Sequence, residues 1–252
     1  MNLLHLAAIF GAGVAAGGIN AVVGSGSLIT FPTLVALGYP PVVANVSNNI
    51  GLVPGNAAAA YGYRRELAGQ RGRLVRLGAA SLSGSLIGAS LLLALPESAF
   101  KVIVPVLIVV ALVLVVVQPR LNVWLAARRE TEHAHGGPWL WLGVFGAGIY
   151  GGYFGAAQGI ILIALLGIFL DETLQRANGI KNMLAMIANG TAAVLFLFVA
   201  SINWTVVVLI ALGSTLGGLL GSSYGRRLPP MALRGIIVVV GLFAIGKLVL
   251  GG

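Results

Sequence analysis

Residues 44–56 read ANVSNNIGLVPGN, and residues 177–189 read ANGIKNMLAMIAN. Both open on Ala-Asn, Asn49 falls against Asn182, and Asn56 falls against Asn189, all at one constant spacing of 133 positions. Three asparagines in register within two apolar stretches mark an internal duplication, which is the first thing to look for in a sequence. Upstream, Phe10-Gly11-Ala12-Gly13 recurs verbatim as Phe145-Gly146-Ala147-Gly148 at a spacing of 135, so a small gap separates the two matches.

Outward from these anchors, each half reads in the same order. Segment A is Leu3–Val23 and, repeated, Pro138–Ala157. A glycine break follows, at Gly24-Ser25-Gly26-Ser27 and at Gly155–Gly159. Segment B is short, Leu28–Gly38 and Ile160–Leu170; segment C is Pro41–Tyr63 and Thr173–Ala200; two ordinary apolar segments, D and E, complete each half. The chain divides into a first repeat over 1–117, a linker over 118–137 and a second repeat over 138–252. Stretches such as Leu74–Leu95, Val102–Val117, Trp204–Tyr224 and Ile236–Leu250 approach or reach the roughly 20 apolar residues that cross about 30 Å of hydrocarbon. Only 8% of the residues are charged and 58% are hydrophobic, a composition that cannot furnish a water-facing surface. The expected fold is an all-α polytopic membrane protein in one domain, embedded in the lipid bilayer. The N-terminal MNLLHLAAIF has no Lys or Arg before its apolar run, so it reads as part of the first membrane segment and not as a signal peptide.

The net charge of +9 does not point to nucleic acid. Of 15 Lys and Arg, 11 sit in three short stretches, 64–76, 120–129 and 226–234, without the interleaved aromatics of a nucleic-acid platform. Short basic loops stay cytoplasmic. With 64–76 and the linker on that side, D runs outward, whereas D of the second half must run inward to reach Arg226-Arg227. The halves are therefore expected to be inverted, each with a glycine-broken hairpin or short helix followed by three spanning helices. That parity requires A and B to enter and leave on one side, and an 11-residue B covers only about 16 Å of helix. Both chain ends then lie outside, in the periplasm.

Inverted repeats with interrupted helices are the architecture of secondary transporters, because one fold can close toward either side. Backbone freed by a break is tolerated in a membrane only where protein, water or substrate satisfies it. Gly24, Ser25, Gly26 and Ser27 precede B, where Ser25 or Ser27 can cap the new helix and its N-terminal N–H groups suit an anion. Gln158 and Gly159 hold the corresponding place in the second half. Asn45, Asn49, Asn178 and Asn182, near the start of each C, are expected to line a path; Asn56 and Asn189 read as helix-to-helix glue. Lys181 lies eight residues beyond Thr173, roughly 12 Å along the helix. A lysine within a span costs about 2.5–3.5 kcal/mol on insertion scales, so it reads as a cation facing an anionic substrate, against the alternative of snorkelling to the headgroups. All six acidic residues, Glu66, Glu97, Glu130, Glu132, Asp171 and Glu172, fall in loops or near segment ends, leaving no carboxylate within a span for a proton relay or sodium. The chain has no cysteine, its histidines (His5, His133, His135) are terminal or in the linker, and no catalytic triad, HExxH or nucleotide loop is present. Neither an enzyme, a metal site nor a cofactor is expected.

The paired glycine-rich segments GAGVAAGGINAVVGSGSLITFPTLVALGYPP and GVFGAGIYGGYFGAAQGIILIALLGIFLD, each followed by an Asn-rich helix, resemble the sulfite exporter TauE/SafE family over nearly the whole chain. The resemblance implies a bacterial inner-membrane exporter of sulfite or organosulfur anions. Many members carry an Asn-Lys pair at the start of C; here the first half has Asn48-Asn49 and the second Lys181-Asn182. A longer run of glycines is usual where this chain has Gly24-Ser25-Gly26-Ser27. The reading is a secondary transporter for small anions working by alternating access, with a passive anion channel or a non-transporting membrane assembly factor as the alternatives.

Overall fold

The computed structural model describes residues 2–127 and 136–224, with 235, 238, 239 and 242. Most of the second half's segment E, residues 226–234 and the part of the linker with Glu130, Glu132, His133 and His135 lie outside the described residues. The described chain is helical, in the order α1 (Leu3–Val22), α2 (Ser27–Ala36), α3 (Pro41–Gly62), α4 (Arg71–Ala94), α5 (Glu97–Ala127), α6 (Gly137–Tyr153), α7 (Gln158–Phe169), α8 (Leu174–Val199) and α9 (Trp204–Tyr224). Segments A to E of the first half are thus α1 to α5, and A to D of the second are α6 to α9. Local chemistry sets several starts. Asn2 accepts from Leu4 N–H and Thr173 from Arg176 N–H as N-caps, and proline occupies the first turn of α3 and α6. The first half's E does not stop at Val117. It continues as helix through Arg120 to Ala127, into the stretch whose basic residues read as linker.

Among the described residues, five helices are long and apolar enough to cross a bilayer: Leu3–Val22, Arg71–Ala94, Glu97–Gln118, Leu174–Val199 and Trp204–Tyr224. α5 displays the reason a bilayer is needed. Val102, Val106, Val109, Val113 and Val116 form an exposed stripe, while Val104, Ile108, Ala111 and Val115 form a buried one. Both stripes follow the 3.6-residue period, yet both are apolar, so lipid is the solvent on the outer face. α3 has the length of a span but carries Asn45, Asn48, Asn49 and Asn56. It packs against α8 and α9, and all four asparagines are buried away from lipid.

The halves interlock. α1 packs along α9, α6 along α4, α3 on α9 and α8 on α4, so segments A and C of each half rest on D of the other. Close approach depends on small residues. Gly84 and Gly88 abut the backbone of Phe145 and Ile149, and Gly217 and Gly221 abut that of Val14 and Gly18. Ser81 Oγ donates to Leu184 O at 2.9 Å, and its counterpart Ser214 donates to Gly51 O at 2.9 Å. The C and D pairs keep the spacing of 133. Segment A does not follow the verbatim quartet, however. Its packing pairs Phe145 with Val14, a spacing of 131, so Phe10-Gly11-Ala12-Gly13 is one helical turn out of structural register. Small residues every fourth position allow a textual match one turn away from the structural one.

Candidate functional site

Both glycine breaks exist where the sequence places them. α1 ends at Val22 and α2 starts at Ser27; α6 ends at Tyr153 and α7 starts at Gln158. Gly24 (φ +89°) and Gly155 (φ +75°) take left-handed backbone, which glycine adopts without strain. The breaks touch each other. Gly159 N–H donates to Gly24 O at 3.0 Å, and a Cβ built on either glycine would lie 2.5 Å from the other's Cα. No side chain fits between them.

Beside this contact lies a small polar cavity lined by Asn20, Gly24, Ser27, Asn56, Gly155, Gln158, Gly159, Lys181, Asn182, Ala185 and Asn189. Its water-accessible volume is about 10 Å³, room for roughly one water molecule, so the site is closed. Six predicted residues meet here: Gly24, Ser27, Gln158, Gly159, Lys181 and Asn182. Lys181 is 1% exposed, so it does not snorkel. Its ammonium donates to Asn20 O at 2.8 Å and Ala21 O at 3.1 Å, carbonyls left open at the end of α1, and Asn182 Nδ2 joins it on Ala21 O at 3.1 Å. A lysine has three donors; two serve the helix end. Gln158 Nε2 donates to Ala147 O at 3.1 Å, tying the first turn of α7 back to α6.

The remaining predicted residues are close by but not on the cavity wall. Asn45 Nδ2 donates to Tyr153 O at 3.0 Å, and Asn49 Nδ2 to Asn189 Oδ1 at 3.2 Å. Asn178, Ser25 and Gly26 are not among the lining residues. Neither serine caps α2. Gly26 N–H instead meets Asn20 Oδ1 at 2.6 Å, and Ser25 Oγ has no protein partner. Asn56 and Asn189, read as glue, do bridge helices, since Asn56 accepts from Asn20 and Asn189 from Asn49, but both also face the cavity. Asn20 was missed. It has no partner in the repeat, and its signal is that it stands alone as a polar side chain in an apolar run.

Next to the break of the second half, Phe31, Phe100 and Phe154 pack edge-to-face, with Phe31 and Phe154 centroids 5.1 Å apart, and Tyr153 lies tilted against Phe100. On the side of the basic 64–76 loop, Glu172 sits between Arg73 at 2.6 Å and Arg176 at 2.7 Å. This pairing joins α4 of the first half to the start of α8 in the second.

The family model for the sulfite exporter TauE/SafE matches residues 9–248. Similar proteins include a probable membrane transporter protein of Sinorhizobium, 24% identical over 94% of this chain and 89% of its own. Another, from Haemophilus influenzae, is 26% identical over 97% and 94%. The probable membrane transporter protein YfcA of Escherichia coli K12 is 26% identical over 97% and 90%. No solved structure matches the chain.

Proposed function

The chain belongs to the sulfite exporter TauE/SafE family of membrane transporters, and from that premise we propose that it exports sulfite or organosulfonates across the bacterial inner membrane by alternating access. One observation carries the anion reading. The closed cavity where the two breaks meet holds a buried ammonium, several amide side chains and no carboxylate among its lining residues. A small oxyanion can take the remaining Lys181 donor and the amides of Asn182 and Gln158. The N-terminal turns of α2 and α7 add partial positive charge, since both helices begin at the cavity.

The alternating mechanism rests on the interlocked halves, inverted across the membrane, with both termini periplasmic. A site with room for about one water must open to take a substrate, and alternating access has it open to one side at a time. A passive channel needs a continuous wet path, and a cavity for one water does not supply one. Purified protein in proteoliposomes tests this. Saturable uptake of labelled sulfite, with trans-stimulated counterflow, is expected. Non-saturating flux without counterflow would mean a channel, and absence of binding by sulfite and sulfonates would remove the substrate assignment.

A further inference from the structure

The two broken helices end differently. At the end of α1, the carbonyls of Asn20 and Ala21 receive the Lys181 ammonium. At the end of α6, Tyr153 O receives the Asn45 amide, and the residue in register with Lys181 is Asn48, which carries no charge. Asn48 is 1% exposed, and its Oδ1 has no protein donor. The Oδ1 atoms of Asn45 and Asn49 have none either. These residues stand at i, i+3 and i+4 of α3 and so share one face. Because the Asn45 amide nitrogen is fixed on Tyr153 O, its oxygen is held beside the end of α6. Three buried amide oxygens without protein donors thus lie on one face of α3, and the Asn45 amide brings that face to the negative end of the α6 dipole.

We propose that this site binds an alkali-metal cation of sodium size, at the end of α6 beside Asn45, Asn48 and Asn49. The free cation takes the place that the tethered Lys181 ammonium takes at the end of α1. Carbonyls at the ends of interrupted helices, with neutral side-chain oxygens, are a suitable ligand set for a monovalent ion in a membrane. A divalent ion is disfavoured because its sites draw on carboxylates, and among the described residues the acidic side chains stand in loops or, as Glu97 does, at a helix end. The proposal deepens the transporter reading by supplying a coupling ion, and it rests on that reading only for the ion's role, not for its binding.

Its test therefore reads binding without sulfite. Thermal unfolding of the purified protein is followed while NaCl replaces choline chloride at constant ionic strength. Sodium is expected to raise the midpoint, by about 5 °C or more at a hundredfold excess over Kd. Asn48→Lys should tether an ammonium in the site, raise the midpoint in choline and abolish the sodium response. Asn48→Leu should abolish the response without raising the midpoint in choline. A wild-type midpoint indifferent to sodium overturns the proposal, as does an undiminished sodium response in both variants. Sodium stabilisation together with failure of sulfite counterflow would leave the cation site standing and remove the substrate.

Discussion

Lys181 is the residue on which the site turns, and its position gives it two duties. It closes the open carbonyls at the end of α1, and it presents positive charge to the cavity. Lys181→Met keeps most of the stem and removes both, so sulfite transport in proteoliposomes should be lost. The midpoint of unfolding should fall as well, because Asn20 O loses its donor. Lys181→Arg keeps the charge and should retain partial transport, since a planar guanidinium cannot reproduce the ammonium's shape. Normal transport by the methionine variant would place the substrate elsewhere. Asn20 offers a second check. Its Oδ1 is the partner of Gly26 N–H at 2.6 Å, and Asn20→Ala strands that buried donor, a loss of about 1–3 kcal/mol in stability measured by denaturation.

Among the elements, the meeting of the two breaks is the contact with least tolerance. Gly159→Ala would drive a methyl group into Gly24 and force α2 and α7 apart, whereas Gly146→Ala, on the same half, has nothing within 4 Å. The first should abolish transport and the second should leave it near normal, a comparison made directly on sulfite counterflow. The Arg73–Glu172–Arg176 group ties α4 to the start of α8. Under the proposed alternating access, opening on that side would separate these elements. Glu172→Gln should favour the open form. Because the chain has no cysteine, Ala185→Cys on the cavity wall gives labelling without background. Thiol labelling from the cytoplasmic side is expected to be faster in the Glu172→Gln background, and an unchanged rate would show that the ion pairs do not hold that side closed.

At the scale of the whole molecule, the interlock of A and C with the opposite D makes the halves a single body. Neither half can keep its packing alone, because the glycine faces of α4 and α9 fit the other half's α6 and α1. The basic loops then predict topology: tags on both termini should be reached from the periplasm, and a cysteine in the 118–137 linker should be labelled from the cytoplasm. A cytoplasmic C-terminus would refute the inverted arrangement.

The helical membrane class, the order of the elements and the two breaks were legible in the sequence. Each rests on local chemistry: apolar length, glycine at left-handed backbone, and proline in a first turn. Lys181, Gln158 and Asn182 stand out in the sequence as polar groups inside apolar helices, and all three line the cavity. Only the tertiary structure decided the rest. It set the true register of segment A, which a four-residue stripe of small side chains leaves ambiguous by one turn. It chose which of two apolar faces of α5 meets protein and which meets lipid, a choice hydropathy cannot make when both faces are equally apolar. It brought Asn20, Asn56 and Asn189 to the cavity and held Asn45 and Asn49 against α6 and α8. Whether an amide glues helices or faces a cavity depends on partners 36 to 140 residues away, and no local pattern carries that information.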